Sequence, residues 1–285
     1  MGAALRVGFI GLGDMGGAMV SRLLAAGLPV TLWARRPESL RQFESGRFHA
    51  AASPAELGRR SDVVGVCVFS GADVRQVVLG EDGVLSGLSA GAVLLIHSTV
   101  SVATCRELAA EAATVGVEVI DAPVTGARAR ALAGDLVVLL GGDGAAIEKA
   151  RPMLATFAGT TAHLGPLGSG QRMKALNNAL GNATGRLASM AIEIGAQLGL
   201  DTEWTIEILR TGSAGSRPMT SMVDRLMRDQ EFAGLAARMI VKDTALFREM
   251  CAEAGVEAGV FAALAGERAE HIVPVVDGSA VVRGR

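Results

Sequence analysis

Cysteine is scarce. Cys67, Cys105 and Cys251 are the only three in 285 residues, an odd number and far apart. That excludes a disulfide framework and points to a reducing compartment, here the cytoplasm. No two of them have zinc-ligand spacing, and His49, His97, His163 and His271 are scattered, so no metal site is expected. Charge of one sign is missing too. A net charge of −2 gives no bulk attraction to nucleic acid or to an anionic membrane surface. No apolar run reaches the roughly 18 residues that a membrane span needs. The apolar start, AALRVGFIGLG, is broken by Arg6 and runs into a glycine turn, which fits a buried first strand better than a signal peptide. Arg6 also stands where a myristoylation motif wants Ser or Thr. Repeats, low-complexity tracts and charge blocks are absent. Apolar residues are plentiful: 50% of the chain is hydrophobic and 20% charged, enough for a sizeable core. At roughly 150 residues per domain, the length suggests two.

In the first half, Leu5 to Ile10 reads as a buried strand. Gly11-Leu12-Gly13-Asp14-Met15-Gly16 follows at once, then helical periodicity over Ala18 to Ala26. Strand, glycine turn and helix in this order suit a dinucleotide. Gly11 permits the tight turn, Gly13 lets the backbone approach a pyrophosphate, and Gly16 lets the helix pack on the strand. A second strand, Pro29 to Trp33, ends in Ala34-Arg35-Arg36-Pro37, where NAD-preferring folds carry an acid. Two guanidiniums suit a ribose 2′-phosphate, so Arg35 and Arg36 predict NADP, with NAD as the alternative. Further strands are read at Val63 to Phe69, Ala92 to Ile96, Val117 to Ile120 and Leu136 to Leu140. Alternation with helical segments makes a doubly wound, mostly parallel sheet. Ligands sit beyond the carboxyl ends of such strands, which makes Phe69, Ser70, Thr99 and Thr125 contact candidates. His97 also lies at a strand end, where a lone histidine is more often structural than catalytic.

The pattern changes at the Pro and Gly cluster around Leu164 to Gly168, so the boundary is drawn between an α/β domain, 1–165, and an all-α domain, 166–285. Gln171 to Leu198 contains no proline and reads as one long helix, about 42 Å if wholly helical. Its buried face is read as Ala175, Leu176, Ala179, Leu180, Ala183, Leu187, Met190, Ile194 and Leu198. Helices are expected at Thr202 to Arg210, Pro218 to Arg228, Ala236 to Ala254 and Val260 to Glu270, with a short strand-like tail at Ile272 to Val276. Near the start of the long helix, Lys174, Asn177 and Asn178 fall at i, i+3 and i+4 and share a face. A lysine is a proton donor of adjustable pKa, and an amide binds without changing charge. This stretch, GSGQRMKALNN, and the glycine turn are read as facing each other across a substrate, between the two domains.

Four stretches in order resemble the β-hydroxyacid dehydrogenase family, the group of 3-hydroxyisobutyrate dehydrogenase, tartronate semialdehyde reductase and the glyoxylate and succinic semialdehyde reductases. GFIGLGDMG at Gly8 to Gly16 is similar to the family's cofactor signature. DAPVTGARARALAGDL at Asp121 to Leu136 is similar to its substrate signature, and GSGQRMKALNN at Gly168 to Asn178 to its catalytic signature. VKDTALF at Val241 to Phe247 is similar to its KD segment. The resemblance implies a Rossmann domain followed by an all-α domain. It implies Lys174 as catalytic acid, Thr125, Gly126 and Asn178 on the substrate, and Asn177 in support. Thr99 and Lys242 would stand near the nicotinamide. Departures bear on the substrate. Thr125 replaces the usual Ser, Ala127 replaces a second Gly in the substrate loop, and Ile96-His97 alters the usual DxST. Arg128 and Arg130 could recognise an anionic tail. The expected reaction interconverts a short hydroxy acid and its semialdehyde or keto acid. The expected partner is a small carboxylate, and apolar helix faces suggest a homodimer or homotetramer. Two alternatives remain: an imine reductase of the same superfamily, whose members usually carry Asp or Tyr at the place of Lys174, and a dinucleotide-binding protein without catalysis.

Overall fold

The structure is a computed structural model that describes residues 4–221 and 230–267. The chain divides into two compact units, Met1–Lys174 and Ala175–Arg285. The first unit is built on a six-stranded sheet of β1 (Val7–Ile10), β2 (Val30–Trp33), β3 (His49–Ala50), β4 (Val63–Val66), β5 (Val93–Ile96) and β6 (Glu118–Asp121). Every pairing is parallel, in the order β3-β2-β1-β4-β5-β6. The central strands are apolar throughout because both faces are covered. Phe9, Leu32, Val63, Leu95 and Ile120 face one core, whereas Ile10, Val64, Val66, Leu94 and Ile96 face the other. Around the sheet lie α1 (Asp14–Ala25), α2 (Pro54–Arg59), α3 (Gly71–Leu79), α4 (Val102–Ala113), α5 (Ala127–Leu132) and α6 (Gly144–Leu154).

A smaller sheet is set apart: β7 (Val124–Thr125), β8 (Leu136–Leu140) and β9 (Ala158–His163). The strand expected at Leu136 to Leu140 belongs here. The stretch from Gly126 to Asp135 is shorter than the dozen or so residues a parallel crossover needs, so β7 and β8 pair antiparallel. A bridge between Asp121 and Gly141 joins this sheet to β6.

The described part of the second unit is helical. The helix α7 (Ser169–Gln197) begins in the first unit and runs on, followed by α8 (Thr202–Thr211), α9 (Arg217–Ser221), α10 (Gln230–Glu253) and α11 (Gly259–Glu267). The expected strand at Ile272 to Val276, and the ends of two expected helices, lie outside the described residues. The expected buried face of α7 needs correction. Ala175, Ala179 and Ala183 are buried, but Leu176, Leu180, Leu187, Ile194 and Leu198 are 47–71% exposed. Small residues allow the close packing that hides them, and the bulky residues beside them on the helix are left at the surface. Among the described residues no helix is long and apolar enough to cross a membrane.

Candidate functional site

The glycine turn lies at the carboxyl end of β1. Gly11 has φ +96°, and a Cβ there would come within 2.1 Å of the Cys67 carbonyl oxygen; one on Gly16 would come within 1.9 Å of the Gly11 carbonyl oxygen. Those two glycines close the turn. Gly13 differs, since a Cβ on it would meet nothing within 4 Å. It directly precedes the N-terminus of α1 and its own position is exposed. Open space above unpaired N–H groups at a helix start fits a pyrophosphate. Leu12 and Met15 direct their side chains into the core, so the backbone is what they can offer a ligand. Asp14 is exposed, and its carbonyl accepts a hydrogen bond of 3.1 Å from Arg128, whose guanidinium also lies 3.7 Å from the Asp14 carboxylate. Arg130 pairs with Asp135 at 2.8 Å. The two loop arginines are thus held locally.

At the end of β2 the arginines part company. Arg35 donates to Asp73 at 2.9 Å and to Gln76 at 3.0 Å, whereas Arg36 is exposed at the start of a 3-10 turn, Pro37–Phe43. Asp73 also closes a capping box with Ser70 at the start of α3, and its hydrogen bonds from Ser70 and then Arg35 outweigh burial and hold its pKa below the usual value. The Ser70 hydroxyl is therefore engaged by the fold, while Phe69 is 48% exposed. Thr99 is half-buried just beyond β5.

Thr125 is half-buried on β7. Gly126 has φ +137°, and Ala127, at φ +61°, holds the left-handed backbone that disfavours a Cβ. It is the one non-glycine residue with positive φ among the described residues. Ala127 thus holds, at a cost, a backbone conformation that suits the glycine the family usually has at that place.

Lys174 is half-buried on α7, with Asn177 and Asn178 three and four residues on. The Asn178 amide nitrogen donates to Asp243 at 2.7 Å, and its carbonyl oxygen accepts from Asn177 at 3.3 Å. Lys242 lies 3.0 Å from the other oxygen of Asp243. Asp243, buried on α10, thus fixes which way the Asn178 amide faces. In the sequence Asp243 stands out only as part of VKDTALF; its contact with Asn178 is visible only in the fold.

Two more residues were passed over. Asp121, the last residue of β6, is fully buried and accepts from the backbone N–H of Gly168 at 2.6 Å and of Gln171 at 2.7 Å. Burial pushes its pKa up, against these N–H bonds. Gln171 is fully buried as well. Its side chain donates to the Ser98 carbonyl at 2.8 Å and accepts from the Val100 N–H at 3.1 Å. The signal for Asp121 was an acid closing an otherwise apolar strand. His97, by contrast, is packed inside. Its ring stacks 6.0 Å from Phe9, its Nδ1 lies 2.8 Å from the Ala122 carbonyl, and burial lowers its pKa to about 4. It is a neutral core residue.

Residues 6–165 match the NAD-binding domain of 6-phosphogluconate dehydrogenase, and residues 168–280 match the NAD-binding domain of NADP-dependent 3-hydroxyisobutyrate dehydrogenase. The chain belongs to the β-hydroxyacid dehydrogenase family. It is 38% identical to the 3-hydroxyisobutyrate dehydrogenase-like protein 2 of Arabidopsis thaliana, over 86% of this chain and 81% of that one. It is 30% identical to the NAD-dependent L-serine dehydrogenase of Pseudomonas aeruginosa, over 86% and 84%. Among solved structures, the 3-hydroxyisobutyrate dehydrogenase of Mycobacterium tuberculosis with L-serine superposes with a TM-score of 0.80 at 26% identity, over 94% of each chain. As a member of the family this chain is an NAD(P)-dependent dehydrogenase acting on CH–OH groups.

Proposed function

We propose that the chain interconverts a short β-hydroxy acid and its semialdehyde with NADP(H), using Lys174 as general acid and base. The observation that carries this is the common edge. The glycine turn follows β1, Thr99 follows β5, and the start of α7, which bears Lys174, is bonded to the end of β6 and to Ser98–Val100 beyond β5. All lie at the carboxyl ends of one parallel sheet, where such folds bind ligands.

The nicotinamide, when bound, supplies or accepts the hydride. In reduction, charge grows on the carbonyl oxygen as hydride reaches its carbon. The Lys174 ammonium stabilises that oxygen and transfers one proton to it, leaving a neutral amine and an alcohol. In oxidation the neutral amine takes the hydroxyl proton. Asn178, its amide turned by Asp243, donates to the substrate, and Asn177 supports it. The Thr125 hydroxyl and the Gly126 N–H hold the carboxylate, so one face of the carbon is presented. Gly11 to Gly16 would hold the pyrophosphate by backbone, and Thr99 and Lys242 would contact the cofactor near its nicotinamide. Arg36 would take the 2′-phosphate, with Arg35 anchored on Asp73.

Two relatives support the substrate class by name: 3-hydroxyisobutyrate and L-serine both present a primary alcohol β to a carboxylate. The working form is a homodimer or homotetramer, supported by the exposed leucines of α7. A reducing, cytoplasmic setting is supported by the cysteine content, three residues far apart in the sequence. The test is Lys174→Ala, assayed for NADPH oxidation against glyoxylate, succinic semialdehyde, tartronate semialdehyde and a cyclic imine. Turnover of a carbonyl acid should fall roughly 10²–10⁴-fold, the usual contribution of a general acid, while NADPH still binds. Near-normal turnover, or turnover of the imine alone in the unaltered protein, defeats the reading.

A further inference from the structure

We propose that Asp121 and Gln171 are positioning residues that set where Lys174 stands, a role that rests on Lys174 being the acid–base group. The start of α7 is held by another element. Most helices are capped by a side chain beside their own first residue. Here the residue before α7 is Gly168, which has no side chain to offer, and the acceptor comes from the end of β6. The Asp121 carboxylate takes the N–H of Gly168 on one oxygen and that of Gln171 on the other, at 2.6 and 2.7 Å. A fully buried carboxylate is costly to place unless donors surround it. Local capping would have stabilised the helix without that cost. What the distant carboxylate adds is dependence of the first turn of α7 on the position of β6.

Gln171 supplies a second constraint. Its amide uses one donor and its acceptor on the Ser98 carbonyl and the Val100 N–H, on either side of Thr99. Lys174 follows three residues later, one turn along the same face. Space around the joint is closed. A Cβ on Gly170 would come within 2.2 Å of the Leu139 carbonyl oxygen and 2.8 Å of Asp121, and one on Gly141 within 2.3 Å of Asp121. The turn can neither slide along the sheet edge nor rotate about the helix axis without breaking bonds to buried groups. The lysine is held at a set height over the strand ends through Asp121, and at a set angle relative to Thr99 through Gln171.

The test is a double-mutant cycle on the full-length protein, using Gln171→Met and Lys174→Ala, with the fastest carbonyl acid of the panel above. Gln171→Met should lower kcat roughly 10–100-fold, the effect of misplacing a catalytic group by about an ångström. The Kd for NADPH should stay at its original value. In the Lys174→Ala background the same substitution should change kcat by less than about twofold, because the group it positions is gone. Equal slowing in both backgrounds would reduce Gln171 to general support and overturn the proposal, as would a Gln171→Met enzyme of full kcat. If that variant does not fold, Gln171→Glu replaces it. A protonated Glu reproduces the donor and acceptor pattern and an ionised one sets a carboxylate oxygen against the Ser98 carbonyl. Its kcat relative to the parent should rise as pH falls from about 8 to about 5, and a flat ratio overturns the proposal. Full turnover by Lys174→Ala defeats the functional reading instead, so the two failures are distinct.

Discussion

At the scale of single residues, His97 and Arg36 carry separate expectations. Burial lowers the His97 pKa to about 4, whereas in the unfolded chain it titrates near the ordinary value of 6.5. The unfolded state therefore binds a proton first. Stability from this group is complete above pH 6.5 and is lost as pH falls toward 4, by roughly 3 kcal/mol. Denaturant unfolding between these limits should be less pH-dependent by about that amount in His97→Gln, which keeps an N–H for the Ala122 carbonyl. An unchanged slope would mean that the histidine is protonated inside. Arg36 concerns cofactor choice: the Michaelis constant for NADPH should lie well below that for NADH, and Arg36→Ala should remove most of the difference. Equal constants in the parent would assign the guanidinium to solvent. Ala127 needs no experiment to be informative. Its departure from glycine was visible in the sequence, but the positive φ that gives the departure a conformational cost was visible only in the fold.

At the scale of elements, the strands and the long helix were legible because their signals are local. Continuous apolar runs marked β1, β4 and β5, the first closed by the glycine turn, and a proline-free stretch marked α7. The strands that were missed have no such signal. The two residues of β3 are exposed, β7 has only Val124 and Thr125, and β9, AGTTAH, has no apolar alternation. Their pairing is decided by neighbours. The same holds for the site. Lysine and asparagine at helical spacing could be read directly, but the contacts that hold them, Asp243 on Asn178 and Asp121, Ser98 and Val100 on the start of α7, span long separations in the chain. The joint between α7 and β8 offers a sharp check. Alanine within a helix ordinarily gains stability over glycine, by close to 1 kcal/mol. Gly170→Ala should do the reverse and cost about 1–3 kcal/mol through overpacking against Leu139 and Asp121. A raised melting temperature would show that the joint gives way.

At the scale of the whole molecule, the bulky side of α7 is the open question that the sequence misjudged. Met173, Leu180, Leu187 and Ile194 recur every seventh residue and are 40–57% exposed, a stripe with the repeat that helices use to pair. A sequence pattern reports which residues avoid water and not which chain covers them, so a buried face and an oligomer are both read from the same residues. Light scattering coupled to size exclusion should find a homodimer or homotetramer, and Leu187→Glu should shift it toward smaller species. A monomer in the unaltered protein would leave the stripe without the role proposed for it.

The lysine and its anchor sit on opposite sides of the natural cut between the two matched regions: Asp121 lies within residues 6–165 and Lys174 within 168–280. Chimeras spliced at Pro166 would therefore inherit the acid from one parent and the aspartate that fixes its helix from the other. Breeding new enzymes from this scaffold by swapping halves is a matter of matching that seam, and a crossover placed beyond Lys174 would pass the pair on intact.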